Sequence, residues 1–108
     1  MDRAEQLKHA TPELTVDLTL YPTNRGGRKG PIMPGWGSPC TVQAEEGDGW
    51  VCYDGWPLLG NMVLAPGQTC RVGYVFLSGQ QAANILSAPR KFYLWERGLI
   101  GEAVIVES

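Results

Sequence analysis

A chain of 108 residues is enough for one hydrophobic core and too short for two, which excludes a multidomain enzyme. Its 14 Gly and 8 Pro form no tract and no repeat, and 44% of its residues are hydrophobic, which together exclude collagen, a long helical bundle, a coiled coil and a disordered chain. Lys and Arg number 9 against 11 Asp and Glu, so the net charge of -2 lacks the basic excess of a dedicated nucleic-acid binder.

Residues 1–12 read as a flexible polar tail ending at Thr11-Pro12, without a signal peptide and with at most a helical turn or two from Asp2 to His9. Strict alternation then puts Leu14, Val16, Leu18 and Leu20 on one face and Thr15, Asp17 and Thr19 on the other, the pattern of a half-buried strand. Tyr21-Pro22 ends it, because proline donates no ladder hydrogen bond. A long Gly, Pro and basic loop follows over 22–39, in which only Ile32-Met33 can touch a sheet. Loops of this length inside a compact domain are often functional.

Cys40 to Gln43 and Trp50 to Tyr53 read as a hairpin joined by the acidic turn Glu45-Glu46-Gly47-Asp48-Gly49. Leu58 to Leu64 reads as a further short strand, with Gly60 and Asn61 marking a bulge. Ala65-Pro66-Gly67-Gln68 predicts a type II turn, since Pro presets φ at the second position and Gly tolerates positive φ at the third. Cys70 to Leu77 alternates as a strand. Ser78 with Gln81 matches a capping box and predicts a short helix ending before Pro89. Arg90 to Glu96 and Leu99 to Glu107 close the chain as a hairpin around Arg97-Gly98, with Gly101 and Ala103 small where strands crowd. The expected fold is all-β: a barrel or sandwich of six to seven strands with one short helix, spanning 13–108.

Three dispersed segments resemble one family. Gly26-Gly27-Arg28 and the Pro- and Gly-bearing loop behind it are similar to a Gly-Gly-Arg segment and Gly-Tyr-Arg-Pro loop. Met62-Val63-Leu64-Ala65-Pro66-Gly67 resembles a Met-Val-Met-Pro-Gly turn. Lys91 to Gly98, continuing through Gly101 to Val106, looks like a closing Arg-Phe-Ala-Ile-Arg-Glu-Gly-Gly hairpin. These belong to the C-terminal β-barrel of elongation factor Tu and related translational GTPases, and their order and spacing imply a standalone small barrel of that kind. In that family the barrel helps hold aminoacyl-tRNA and contacts protein factors. No phosphate-binding Gly-x-x-x-x-Gly-Lys-Ser/Thr occurs in this chain, so GTP hydrolysis is not implied. Pro34-Gly35-Trp36-Gly37-Ser38-Pro39 lacks the family's loop arginine, and Leu99 replaces another.

The basic loop carries Arg25, Arg28 and Lys29 among glycines that allow close backbone approach. It reads as a solvated loop, a partner contact or a nucleic-acid contact. Trp36, flanked by Gly35 and Gly37, projects from the loop or caps the barrel, and Trp56 raises the same choice. Exposed Trp beside Arg is a common composition for an interface anchor. Catalytic groupings are poor: the only histidine is His9 in the tail, and the carboxylates Glu45, Glu46 and Asp48 crowd one turn. Glu96 reads as structural, with an Arg or backbone partner if it turns inward. Cys40, Cys52 and Cys70 form no Cys-x-x-Cys and read as buried free thiols of a cytoplasmic protein, so neither metal nor cofactor is expected. The expected function is non-catalytic binding of a protein partner through Arg25, Arg28, Lys29, Trp36 and Trp56, with no membrane association; a homo-oligomer stays open. The alternatives are an RNA-binding translation accessory and a small-molecule or enzymatic role in a barrel-end pocket.

Overall fold

The alternating strands close on themselves. The computed structural model describes residues 2–43 and 50–106, so the acidic turn lies outside the described residues. Six strands follow in chain order: β1 (Leu14–Leu20), β2 (Ser38–Thr41), β3 (Tyr53–Leu58), β4 (Thr69–Phe76), β5 (Lys91–Trp95) and β6 (Leu99–Ile105). They pair antiparallel in the closed order β1-β4-β3-β2-β5-β6. Closure leaves no free sheet edge.

Inward positions fill the barrel. Val16, Leu18 and Leu20 of β1 are fully buried, as are Cys40, Tyr74, Phe92, Leu94 and Ala103. The rings of Tyr74 and Phe92 meet edge to face at 5.3 Å, and Phe76 packs on both, at 5.3 Å from Tyr74 and 5.9 Å from Phe92. Gly101 is small of necessity, because a Cβ there would stand 2.5 Å from the Thr19 carbonyl oxygen. Pro57 sits fully buried within β3, tolerated because the pairing of β2 with β3 stops at Gly55 and leaves Pro57 only β4 to pair with.

The type II turn forms as expected: Gly67 has φ of +87° and the Gln68 amide donates to the Ala65 carbonyl at 3.1 Å. At the β5–β6 turn both Arg97 (φ 59°) and Gly98 (φ 139°) lie at positive φ. Four expectations are corrected. There are two short helices, α1 (Arg3–Lys8) and α2 (Gln80–Ser87), where one was expected. Asp2 caps α1 by accepting from the Glu5 amide at 2.9 Å, which stabilises a helix in the polar N-terminal segment. No strand spans Leu58 to Leu64: β3 starts at Tyr53 and ends at Leu58, and Gly60 at φ +65° turns the chain so that only Leu64 bridges, to Ile32. Ser78 does not cap α2; Gly79 occupies that position without a side-chain bond. Cysteine burial also differs, since Cys40 is buried while Cys52 and Cys70 are half-buried.

The register gives the barrel two distinct ends. At one, α2 sends Ala82, Ala83 and Leu86 into the core between β4 and β5. At the other lie the 22–37 loop, the β3–β4 connection and the β5–β6 turn, and there Ile32, Leu59 and Leu64 complete the core.

Candidate functional site

The loop end is built from the backbone outward. A 3-10 turn over Thr23–Arg25 ends at Gly26, whose φ of +86° suits glycine. Arg25 and Gly27 amides both donate to the Pro22 carbonyl, at 2.9 and 3.1 Å. Gly27 then passes so close to the Tyr21 carbonyl that any Cβ would collide with it. The Thr23 hydroxyl donates to the Arg28 carbonyl at 2.7 Å, which draws the loop tightly round.

Arg28 turns back into the molecule. Its Nη1 donates to the carbonyls of Gly30 and Pro31, and its Nε donates to Glu96 Oε1 at 3.2 Å. The other oxygen of the same carboxylate, Oε2, accepts from Trp36 Nε1 at 3.2 Å. The Arg28 guanidinium lies 5.6 Å from the centre of the Trp36 ring, within cation–π range. Trp36 is half-buried and packed against the core. Arg28, Trp36 and Glu96 therefore form one brace between the loop and the β5–β6 turn.

The bridge between Ile32 and Leu64 has both backbone hydrogen bonds, at 2.9 and 3.1 Å. Ile32 and Leu64 are buried, and their chain neighbours Met33 and Val63 are 58% and 50% exposed. Arg25 and Lys29 are exposed, and their side chains make no hydrogen bond, ion pair or ring contact among the described residues. Arg97, next to Glu96 in the turn, is exposed as well.

Trp56 is held on two sides. The Gly37 backbone underlies its ring, leaving no room for a Cβ, and the Arg3 guanidinium lies 4.6 Å from its centre. The five residues read from the sequence thus divide. Arg28 and Trp36 meet at Glu96; Arg25 and Lys29 stay open to solvent; Trp56 lies next to the loop on Gly37, under α1. Met33, Val63 and Arg97 escaped the sequence reading. Met33 and Val63 adjoin the bridge between Ile32 and Leu64, two residues of separate irregular segments for which the sequence carries no periodic signal.

Elsewhere, a shallow hollow of about 180 Å³ lined by Val42, Gln43, Val51, Tyr53, Ile85 and Leu86 opens at the α2 end. It is smaller than most sites that enclose a small molecule, roughly 300–1,000 Å³. Among the described residues no group of three or more His, Cys, Asp or Glu side chains could share a metal ion. Compared with protein-family models, curated proteins and solved structures, the chain matches none.

Proposed function

We propose that this barrel is a non-catalytic, cytoplasmic binding module that takes an acidic protein partner at its loop end. The observation that carries the reading is the double grip of Glu96 on Arg28 and Trp36. A Gly-rich loop would ordinarily lose much conformational freedom on binding; a loop already braced loses less. Around that brace, Met33 and Val63 offer an apolar centre, with Arg25, Lys29 and Arg97 as exposed cations beside it. The division of labour is then clear. Arg28 and Trp36 shape the loop, Met33 and Val63 supply apolar contact, and the free cations steer an acidic surface into place.

The likeness to the elongation factor Tu barrel belongs to this same proposal. A closed six-stranded antiparallel barrel is compatible with it. The two arginines missing relative to that family favour its protein contacts over its tRNA contacts as the retained role.

The test is capture from a native lysate by the wild-type chain and by an Arg25→Ala/Lys29→Ala/Met33→Ala variant, which leaves the brace intact. A protein recovered by the wild type and lost by the variant supports the loop end as the site. Equal recovery by both overturns it. Retardation of tRNA by the wild type at low salt, with no protein lost from the variant, would favour the RNA reading instead.

A further inference from the structure

The N-terminal segment starts beside the loop end, where the Ala4 amide nitrogen lies 3.3 Å from where a Cβ on Gly35 would stand. It then passes over the outside of β3 and β4, with Pro12 against Gly73, and enters β1 at the opposite end of the barrel. The face it crosses carries Trp56, Leu58 and Val75, all half-buried.

The two ends of this segment are held unequally. At Glu13 the anchoring is firm: its amide donates to the Tyr74 carbonyl at 2.9 Å, and its carboxylate accepts from the Phe76 amide at 2.7 Å. At α1 it is light. The helix has six residues, well short of the roughly 12–15 needed for a helix to persist alone, and it buries none of them fully. Its side-chain polar contacts among the described residues are the Asp2 cap, the exposed Lys8–Glu5 pair and Arg3 on Trp56. Thr11-Pro12, between these ends, lies outside both helix and strand.

From this asymmetry we infer that α1 is a displaceable strap across the proposed binding face. An acidic partner docking at the loop draws Arg3 off Trp56, and Trp56 then joins the contact surface beside Trp36. The inference rests on the acidic-partner reading, because the same negative charge that meets Arg25 and Lys29 competes for the Arg3 guanidinium. In the unbound chain the strap covers an aromatic face that would otherwise lie open.

The experiment uses the isotope-labelled full chain and follows backbone amides and tryptophan indole N–H signals by NMR, with Trp56→Phe to assign the Trp56 signal. Amides of Gln6, His9 and Ala10 should exchange on the order of 100-fold faster than those of β4, since local opening requires far less than global unfolding. Arg3→Ala should move the Trp56 indole signal, speed α1 exchange by roughly two- to five-fold, and leave the melting transition of the barrel in place. A deca-glutamate peptide added at low salt should shift the Arg25 and Lys29 amides together with the Trp56 indole. Binding that shifts Arg25 and Lys29 while Trp56 and α1 stay unmoved overturns the strap and leaves the acidic-partner reading standing. No binding at all overturns that reading and the trigger with it. Exchange of α1 at the rate of β4 overturns the strap whatever the peptide does.

Discussion

Arg28 and Glu96 stand 68 residues apart in the chain, and the Arg28 Nε donates to the Glu96 carboxylate at 3.2 Å. The contact ties the least regular part of the molecule to its closing hairpin. Both side chains are partly shielded, at 21% and 39% exposure, and the carboxylate also accepts from Trp36. Glu96→Ala should therefore cost about 1 kcal/mol in denaturant unfolding, within the modest range of partly exposed pairs and hydrogen bonds. Its larger effect should be local, with amide exchange in residues 23–36 accelerated while β1 and β4 are unaffected. Glu96→Gln, which keeps an acceptor for Trp36, should fall between the two.

Gly27 is required by close approach, since a side chain there would run into the Tyr21 carbonyl. Gly27→Ala should destabilise the chain by about 1–3 kcal/mol, the usual cost of forced overpacking. Gly30 faces open space at an ordinary φ, so Gly30→Ala should change the unfolding midpoint little. The contrast between two glycines of one loop, read by chemical denaturation, checks the geometry of the loop independently of any partner.

Stability should decline on the alkaline side. Burial pushes the Cys40 thiol up to about 12 from its ordinary 9.0. Burial likewise lifts the Tyr74 phenol well above 10.0, and it lifts Tyr21, which the carboxylate of Glu102 raises further. The native state favours the protonated form of each, so above about pH 9 the unfolded chain binds fewer protons than the folded one. Stability is complete below that pH and falls as pH climbs from about 9 toward 12. Lys91, raised by its bond to Glu102, acts in the same direction. Urea midpoints should be level from about pH 7 to 8.5 and drop steadily above about 9. A midpoint that rises above pH 9 would contradict this.

Much of the barrel was legible because its strands alternate. Leu14 to Leu20 and Cys70 to Phe76 each announce an inner and an outer face, and Pro66-Gly67 announces its turn. Legibility failed where one long-range contact decides. Leu58 to Leu64 has strand composition, yet past Leu58, the last residue of β3, it turns at Gly60 and bridges only at Leu64, because its partner Ile32 lies in an irregular loop. The same limit applies to the site. Composition singled out Arg28 and Trp36, but not that Glu96 would take both while Arg25 and Lys29 stay exposed, with no side-chain hydrogen bond or ion pair among the described residues. The N-terminal helix is a marginal segment by composition, and the Asp2 cap, the approach of Ala4 to Gly35 and the stacking of Arg3 on Trp56 give it a place to rest.

The proposed function requires that the braced loop bind a protein through the exposed Arg25, Lys29 and Met33. The most direct measurement is quantitative capture of native proteins by the wild-type chain and by Arg25→Ala/Lys29→Ala/Met33→Ala, after equal unfolding midpoints show both to be folded. A protein should be retained by the wild type, weakened by added salt and lost from the variant. The same proteins recovered in equal amounts by both chains would contradict it.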